Sequence, residues 1–390
     1  MRKIGGEVVY SSQDLRDFVE CKYAVELDVK ALDTRIERAK DSRFGALMKQ
    51  RGIEFEASYH EDLKAITSGK GLVLKEIDKS LSMEDQVKET LDSMRSGADL
   101  IYQARLDCKP WQGYPDYLRK VNLPSRFGDY GYEVVDVKLR STPSDDNVLQ
   151  VSLYSHLLGM IQGAVPEYMY LATGDAQEHR FKFSNFSHYF LSVISEFLKF
   201  AAPIQGGVRQ GADLAPIPCS FCDICKWRDH CDGLRTGSDH LSVVAGVTSQ
   251  QARRLRAQNI ETVDQLAGVQ AGEIDGIGLE ALEKLVSNAS LLLEKRRTGE
   301  PRFEIKQTPV GRGFYRLPEP SKGDLFLDLE GDPSHPDGKL EYLFGLWDAK
   351  TRQYIEFWGH DQDEEKIAFE STIDFITQRL IDEPDAYVYH

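Results

Sequence analysis

The chain has 390 residues, of which 41% are hydrophobic, and it carries a formal net charge of −15. This length and hydrophobic content allow two or three domains with ordinary cores and exclude a disordered protein. No apolar run approaches the roughly 20 residues that a membrane span needs, and the first residues lack the apolar stretch of a signal peptide. We therefore expect a cytoplasmic protein with no membrane contact.

The negative charge is unevenly distributed along the chain. Residues 300–390 contain 20 acidic and 10 basic residues, whereas residues 240–299 contain seven of each. An acidic balance argues against nucleic-acid binding, because phosphate binding requires Lys and Arg. Since most of the excess lies in the C-terminal segment, the balance does not exclude a nucleic-acid partner for the rest of the chain.

Apolar periodicity predicts both helices and strands in the first 202 residues. Leu15, Phe18 and Val19 recur at helical spacing after two serines that can cap a helix, and short apolar runs between turn residues predict strands. The predicted helices cover residues 10–32, 51–66, 149–161 and 186–202, and the predicted strands cover residues 72–77, 99–106 and 132–140. This order is typical of a mixed α/β fold in which helices flank a central sheet.

The pattern changes after Gly237, where short helices replace the mixed order. Farther on, three successive strands, a helix and a last strand are predicted from residue 324 onward, and no internal repeat is evident. We predict a first domain over residues 1–238, a helical domain over 239–298, a Pro- and Gly-rich linker over 299–319 and an incomplete α/β domain over 320–390.

Three residues of the first predicted domain have the chemistry of phosphodiester hydrolysis. Asp116 follows a proline in a predicted turn, and Asp136 and Lys138 are two apart on a predicted strand, so that their side chains leave the same face. Two carboxylates can share Mg²⁺ or Mn²⁺, while a lysine positions water or stabilises developing negative charge. An Asp and a Lys on an edge strand are more often a solvated charge pair. The three valines of this strand predict burial instead, and a buried lysine beside an aspartate needs a function.

The order of these residues resembles the PD-(D/E)xK nucleases, and specifically their RecB-like branch. A Gly-x-Pro-Asp motif ends at Asp116, Asp-x-Lys runs from Asp136 to Lys138, and a predicted helix then carries Gln150 and Tyr154. The resemblance implies a restriction-endonuclease-like core in which the helix glutamine and tyrosine contact the site. Gln150 and Tyr154 are four apart and share a helix face. A polar residue and an aromatic residue on a half-buried helix are the alternative.

The family also implies a metal ligand on an upstream helix, usually a histidine a few positions after a glycine. In this chain Glu56 has that spacing after Gly52, and His60 lies one helical turn later. Glutamate is a good ligand for hard metals. We therefore favour Glu56 and retain His60 as the alternate; the other interpretation of either residue is a solvated helix position.

The cysteines predict a metal cluster. A chain with six cysteines and no secretory signal does not suggest disulfides. Cys222, Cys225 and Cys231 are close together in the sequence, so a metal site formed by them needs only a fourth ligand. Cys219 would complete a local zinc site. Iron-sulfur RecB-like nucleases, such as the CRISPR-associated exonuclease and the AddB nuclease domain, place one cysteine before the core and a group with this spacing after it. That resemblance implies Cys21 as the fourth ligand of a 4Fe-4S cluster, with Zn²⁺ as the alternative, and the tie would close a loop of about 200 residues.

Residues 240–298 resemble helix-hairpin-helix modules. In such modules a glycine-containing hairpin, here Gly276-Ile277-Gly278, offers backbone amides to a phosphate at a helix start. Three arginines between residues 253 and 256 add positive charge. A compact helical spacer is the alternative.

The segment FLDLEGDP resembles the first motif of the RNase H-like DEDD exonucleases, in which Asp-x-Glu on a strand binds metals. Asp328 and Glu330 share a strand face, as that chemistry requires. The family's remaining acids would follow a later strand, at which the chain stops. We therefore expect an incomplete second site and a chain that is the front part of a longer protein with a helicase. An acidic strand end is the alternative.

The sequence thus predicts a metal-dependent deoxyribonuclease that acts on single-stranded DNA or duplex ends in repair, recombination or defence, with exonuclease action expected. The alternative is a catalytically weak nuclease fold that binds DNA or serves as a scaffold in a larger helicase-nuclease protein. The net acidity and Glu56 at the position of the usual histidine favour that alternative. A zinc scaffold whose carboxylates are ordinary surface groups is the third hypothesis.

Overall fold

The computed structural model describes residues 1–175, 177–205, 216–270, 274–306, 308–333, 335 and 338–390, without the side chains of residues 204 and 205. Residues 271–273 of the predicted helical domain and residue 307 of the predicted linker therefore lie outside the described residues. The chain divides into two compact units, Met1–Phe303 and Glu304–His390. Both combine helices and strands, so the chain is of the mixed α/β class that the sequence predicts.

The first unit contains ten described strands. They are β1 (Arg2–Ile4), β2 (Glu7–Val9), β3 (Leu74–Glu76), β4 (Leu100–Tyr102), β5 (Leu106–Cys108), β6 (Trp111–Gly113), β7 (Tyr117–Val121), β8 (Gly131–Lys138), β9 (Tyr168–Thr173) and β10 (Glu178–Lys182). Six of them form the central sheet in the order β10-β9-β8-β7-β4-β3, and β1-β2 and β5-β6 form two small sheets. The β8–β9 and β3–β4 pairs are parallel and the other three pairs of the central sheet are antiparallel, so the sheet is mixed.

The predicted strand over residues 99–106 is two strands in the structure. β4 joins the central sheet, whereas β5 pairs with β6. Gln103, between them, has a φ of 56°, in the left-handed region that non-glycine residues rarely adopt. This residue turns the chain from one sheet to the other. The strands predicted over residues 72–77 and 132–140 are confirmed as β3 and β8.

The described helices of the first unit surround the central sheet and continue into the segment after residue 238. They are α1 (Ser12–Glu20), α2 (Lys22–Lys30), α3 (Arg43–Gly69), α4 (Met83–Arg95), α5 (Asp145–Gln162), α6 (Ser187–Gln205), α7 (Arg228–Gly237), α8 (Ser249–Arg256), α9 (Val263–Ala267) and α10 (Leu279–Thr298). The helices predicted at residues 149–161 and 186–202 are confirmed as α5 and α6. α3 begins eight residues before the predicted start, because the Ser42 side chain caps it by accepting the Gly45 N–H. Residues 43–50 are nearly all exposed, although Phe44, Leu47 and Met48 recur at helical spacing.

The single helix predicted over residues 10–32 is wrong at one position. Cys21 has an extended backbone, with φ −155° and ψ 101°, and separates α1 from α2. Its N–H donates to the Asp17 carbonyl oxygen at 2.8 Å, and its own carbonyl accepts the Ala24 N–H at 3.0 Å. One hydrogen bond from each helix end runs to this residue, so Cys21 occupies a corner between two helices.

Both faces of the central sheet are covered. The main core packs side chains of α1, α2, α5 and α6, such as Leu15 and Phe197, against one face. On the other face, Tyr117, Val135 and Val137 pack against the aromatic and aliphatic side chains of α3. Seven of the eight residues of β8 are buried, as expected for a strand that lies inside a sheet with two covered faces.

The segment after residue 238 has a hydrophobic core of its own, separate from the core around the central sheet. Leu255 of α8, Leu266 of α9 and Leu285 of α10 are buried in it. Such a core needs no contribution from the sheet to exclude water.

The second unit is a four-stranded sheet with one long helix. Its elements are β11 (Leu325–Asp332), β12 (Leu340–Asp348), β13 (Gln353–Trp358), α11 (Gln362–Asp382) and β14 (Val388–Tyr389). The strand order is β13-β12-β11-β14, and β14 is parallel to β11. The predicted sequence of three strands, a helix and a last strand is confirmed. No described helix of the chain has the length and continuous apolarity that a bilayer crossing requires.

Candidate active site and cysteine group

Asp116 and Asp136 lie opposite each other at one end of the central sheet. β7 and β8 are antiparallel with Tyr117 opposite Val135, and the next step of this register sets Asp116 against Asp136. Opposite residues of an antiparallel pair project from one face, with Cβ atoms about 5 Å apart. The Val137 N–H donates to Asp116 Oδ2 at 2.7 Å and holds this carboxylate beside β8. Strand pairing therefore brings together the two carboxylates that the sequence predicts to share a metal.

The two carboxylates lie next to each other, Asp116 half-buried and Asp136 buried. Asp136 is only 1% exposed. Burial raises the pKa of Asp116 well above its ordinary value, Asp136 raises it further, and Glu56 adds to the effect, while Lys138 opposes it. Like charges at this distance in a buried site repel. A bound cation is the partner that removes this repulsion.

Lys138 lies directly against Asp136. Its Nζ forms an ion pair with Asp136 Oδ2. Burial by itself lowers the pKa of the Lys138 ammonium, but Asp136 and Asp116 outweigh this effect and raise the pKa above its ordinary value. Lys138 is therefore charged at neutral pH, and its chemistry in this position is that of a cationic hydrogen-bond donor.

α5 brings Gln150 and Tyr154 to the same face. The Gln150 Nε2 donates to the Tyr154 hydroxyl at 2.8 Å, and the Ser12 hydroxyl lies 3.3 Å from the same oxygen. Burial and the nearby Asp136 raise the pKa of Tyr154, which stays a neutral phenol. A Cβ atom at Gly113 would lie 2.8 Å from the Tyr154 ring. The glycine of the Gly-x-Pro-Asp motif therefore leaves room for this ring.

Of the two upstream candidates on α3, Glu56 lies with the carboxylates. Its Oε1 accepts hydrogen bonds from the Tyr102 hydroxyl, at 2.8 Å, and from Gln103 Nε2. The same Gln103 nitrogen lies 3.5 Å from Asp116 Oδ1. Gln103 thus connects Glu56 to Asp116 across the gap between α3 and the sheet.

His60 lies in an aromatic cluster. It is 6% exposed, its ring stacks on Tyr102 with 3.8 Å between centroids, and its Nδ1 is 3.1 Å from the Tyr117 hydroxyl. Its Nε2 lies 3.4 Å from Glu76 Oε1. No contact between described residues joins His60 to Asp116 or Asp136.

Gln103 and Ser12 are site residues that the sequence reasoning missed. Gln103 follows a predicted strand and carries no motif, and its role depends on the left-handed backbone that turns its amide toward Glu56. Ser12 was considered only as a helix cap, whereas its hydroxyl faces Tyr154. Neither position has a signal in a single sequence that would have found it.

The cysteines predicted to hold a cluster are gathered at one corner of the first unit. Cys225 and Cys231 are buried beside Trp227, and Cys21 packs against this group from the break between α1 and α2. Burial raises the pKa of Cys231 to about 12, with smaller contributions from the neighbouring thiols Cys225, Cys21 and Cys222. A metal would therefore bind here by displacing protons from thiols.

Cys219 lies in the same corner. Its Sγ is 3.8 Å from the Glu20 carbonyl oxygen, and its N–H donates to Cys222 Sγ at 3.4 Å. The Trp227 N–H donates to Cys225 Sγ, also at 3.4 Å. Backbone N–H groups that point at cysteine sulfur are part of how proteins tune metal-thiolate sites. The structure places both candidates for the fourth ligand, Cys21 and Cys219, within reach of the group.

The donor chemistry of both groups fits a metal, although the side chains do not stand in a finished coordination shell. Across the described ranges, no three His, Cys, Asp or Glu side chains are arranged to hold an ion. In the carboxylate group, Lys138 takes the contact with Asp136. Buried carboxylate oxygens nevertheless suit Mg²⁺ or Mn²⁺, and clustered thiols suit iron-sulfur or Zn²⁺.

The hairpin Gly276-Ile277-Gly278 lies at the start of α10. The Ile277 N–H donates to the Ile274 carbonyl oxygen at 2.9 Å, Gly276 has a φ of 74°, and Gly278 caps the helix. This turn requires a residue without a Cβ atom at position 276.

The same turn occurs before α8. Val247 N–H donates to the Val244 carbonyl oxygen at 3.2 Å, and Gly246 has a φ of 83°. Arg254 of α8 donates to the Gly276 carbonyl oxygen, so the arginine joins one hairpin helix to the other hairpin.

Asp328 and Glu330 lie on β11 of the second unit, and both are exposed. The register of β11 against β12 shifts between Glu330 and Gly331. Asp328 Oδ1 accepts the Leu329 N–H at 3.1 Å. These two side chains share a strand face, but they are solvated.

Comparison with known proteins assigns this chain to no family. No family model matches it, and no curated protein matches it. The function has to be argued from the residues and their geometry.

Proposed function

We propose that the first unit is a metal-dependent DNA nuclease with a PD-(D/E)xK site on a restriction-endonuclease-like core. One observation carries this proposal: the half-buried Asp116 and the buried Asp136 lie side by side on paired strands, with Lys138 against Asp136. Burying a carboxylate without a partner is costly. The group holds Asp116, Asp136 and Glu56 with one lysine, which leaves an excess of negative charge for a cation to neutralise.

Asp116 and Asp136 would hold Mg²⁺ or Mn²⁺, with Glu56 as a further ligand. When bound, such a cation supplies charge neutralisation at the phosphate and a more acidic water. Gln103 keeps Glu56 oriented toward Asp116 through its hydrogen bonds to both.

Lys138 and Tyr154 would act on the phosphate and the water as hydrogen-bond donors. Because its pKa is raised, the Lys138 ammonium remains a fixed positive charge that can stabilise the negative charge of the transition state. Tyr154 stays neutral and is oriented by Gln150. The cysteine group is structural in this proposal, and the two hairpins of residues 240–298 would contact DNA phosphates through their backbone amides.

The test is hydrolysis of labelled single- and double-stranded DNA with Mn²⁺, compared with the same mixture in a chelator. We expect Lys138→Ala to lower the rate about 10²- to 10³-fold. Lys75→Ala removes an exposed lysine of β3 and serves as the matched control, with an expected change below about twofold. Equal cleavage by the parent and Lys138→Ala would exclude the assignment.

A nuclease-like fold that positions DNA without cutting it is the second candidate. The observation in its favour is that Lys138 occupies the contact with Asp136 Oδ2, where a metal ligand would otherwise be free. Mn²⁺-dependent cleavage by the purified chain, abolished in Lys138→Ala, excludes this candidate. DNA binding without cleavage by the parent supports it.

A further inference from the structure

Residues 35–51 are a positively charged segment of a negatively charged protein. They contain six basic and two acidic residues, whereas the whole chain carries −15. Five of the six basic side chains are exposed: Arg35, Arg38, Lys40, Arg43 and Lys49. A concentration of exposed cations against the overall charge marks a surface that attracts a polyanion.

The segment begins on the cysteine group. The Ala39 N–H donates to the Lys226 carbonyl oxygen at 2.8 Å, and the Arg228 guanidinium donates to the Lys40 carbonyl oxygen. Arg38 lies 5.6 Å from the centre of the Trp227 ring. A cavity of about 480 Å³ opens at this point, lined by Glu37, Arg38, Lys40, Arg228, Asp229 and His230. These contacts hold residues 38–40 against the residues around Trp227.

The segment ends on the helix that carries Glu56. Arg43 is the first residue of α3, and Glu56 lies 13 residues later on the same helix, a distance of roughly 20 Å at 1.5 Å per residue. The first turns of α3 are exposed on nearly every side, and Phe44 is 70% exposed. A continuous path of described residues thus runs from the cysteine group to the carboxylate group.

Phe44 among exposed cations suits a single strand better than a duplex. Lys and Arg side chains neutralise phosphates, and an exposed aromatic ring can stack on a base. A duplex keeps its bases stacked on each other and offers Phe44 no free base face. The cations and the ring together match the alternating phosphates and bases of one strand.

We infer that residues 35–51 bind the strand of a single-stranded DNA end and lead it along α3 to the carboxylate group. This inference rests on the proposed function and adds the substrate class and the binding surface. Arg43 and Lys49 contact phosphates, and Phe44 stacks on a base.

The inference is tested by binding of a fluorescent oligothymidine in a chelator, so that no cleavage occurs, followed by fluorescence anisotropy. We expect the double variant Arg43→Glu/Lys49→Glu to weaken binding at least tenfold. The slope of log affinity against log salt should fall by about 1.4, which corresponds to two lost phosphate contacts. Phe44→Ala should weaken binding of the single strand about fivefold or more and leave that of a hairpin duplex unchanged.

Lys70→Glu/Lys88→Glu is the matched control. It makes the same change of charge on the first unit, at the far end of α3 and on α4, where both side chains are exposed. We expect this control to weaken binding less than threefold. All substituted side chains are exposed, so the thermal unfolding midpoint of each variant should match that of the parent, and the tests compare folded proteins.

Two results would overturn the inference: undiminished binding by Arg43→Glu/Lys49→Glu, or an equal loss in the control pair. An equal effect of Phe44→Ala on single strand and duplex would also contradict it. If binding is lost as expected but the parent does not cleave with Mn²⁺, the proposed nuclease function fails and the binding surface remains. If cleavage requires Lys138 but Arg43→Glu/Lys49→Glu binds DNA as well as the parent does, only the inference fails.

Discussion

The two acidic motifs that the sequence offers as metal sites lie in different environments. In the first unit both faces of the sheet are covered, and Asp136 of β8 is 1% exposed. In the second unit Asp328 and Glu330 of β11 are exposed to solvent. A solvated carboxylate needs no partner, whereas a buried one must be neutralised. The Asp-x-Lys motif of β8 is therefore stronger evidence for a functional site than the Asp-x-Glu motif of β11.

The second unit also has a buried carboxylate, and its environment shows what a structural acid looks like. Asp348 accepts two hydrogen bonds from Arg379, both at 2.6 Å, so that one guanidinium neutralises one carboxylate. In the first unit Asp116 and Asp136 have one lysine between them. The group of Asp116 and Asp136 therefore has an excess of negative charge, as a metal site requires. The Asp348–Arg379 pair has no such excess and only connects α11 to its sheet.

The strongest predicted effect is on stability. It follows from removing Cys21, the ligand that would connect the start of the first unit to the cysteine group. Cys21→Ser should lower the unfolding free energy of the metal-loaded protein by about 5 kcal/mol, because a loop of about 200 residues is no longer closed. Denaturant unfolding and elemental analysis of anaerobically purified protein measure this loss and distinguish iron from zinc. Cys108→Ser is the control, because Cys108 Sγ donates only to the Leu157 carbonyl oxygen. If Cys219→Ser loses the metal while Cys21→Ser keeps all of it, the fourth ligand is Cys219 and the metal site does not include Cys21.

Substitutions at Asp136 and Asp328 compare the two acidic sites directly. Asp136→Asn should lower Mn²⁺-dependent DNA hydrolysis about 10³-fold, which is about 4 kcal/mol of barrier, whereas Asp328→Asn should change it less than twofold. Both substitutions remove one negative charge with little change in volume. A larger loss in Asp328→Asn would place the activity in the second unit.

The ion pair between Asp348 and Arg379 is expected to affect stability but not DNA cleavage. Asp348→Asn should lower the unfolding free energy of the second unit by about 3 kcal/mol, because Arg379 loses its partner in a buried position. Asp385→Asn, which removes a charge from an exposed residue of the same unit, should cost less than about 0.5 kcal/mol. Neither variant should alter DNA cleavage, and a change in cleavage would connect this ion pair to the site.

The choice between the upstream candidates is expected to give a smaller difference. Glu56→Gln should lower hydrolysis about tenfold and raise the Mn²⁺ concentration needed, since the amide replaces a charged ligand. His60→Gln should affect stability more than activity, because His60 packs among tyrosines. A stronger loss of activity in His60→Gln than in Glu56→Gln would reverse the assignment.

The smallest effect is the response to acid, which should have opposite signs in the two units. Hydrogen bonds from Arg379 lower the pKa of Asp348, so its stabilisation is present above about pH 4 and is lost as the pH falls further. Burial raises the pKa of Asp116 in the folded state, so without metal its contribution is largest below about pH 4 and decreases as the pH rises. Unfolding of Asp348→Asn and Asp116→Asn in a chelator between pH 3 and pH 7 measures both slopes.

Much of the local structure follows from the sequence. The burial of β8 was predicted from its valines, and the common face of Gln150 and Tyr154 from their spacing of four. These are properties of neighbouring residues, where a period of 2 or 3.6 decides which side chains share a face. The class of fold, and the strands and helix of the second unit, follow from the same periodicities. The nuclease function, the metals and the DNA partner remain predictions.

Which distant residues meet depends on the tertiary packing of the unit. The break at Cys21, the left-handed Gln103 that orients its amide toward Glu56, and the position of His60 among tyrosines depend on partners far away in the chain. The order of residues alone places carboxylates, a lysine and clustered cysteines at suggestive spacings. Strand pairing and helix packing decided that Glu56 joins Asp116 while His60 does not, because long-range contacts are set by the packing of the whole unit and leave no periodic trace in the residues that make them.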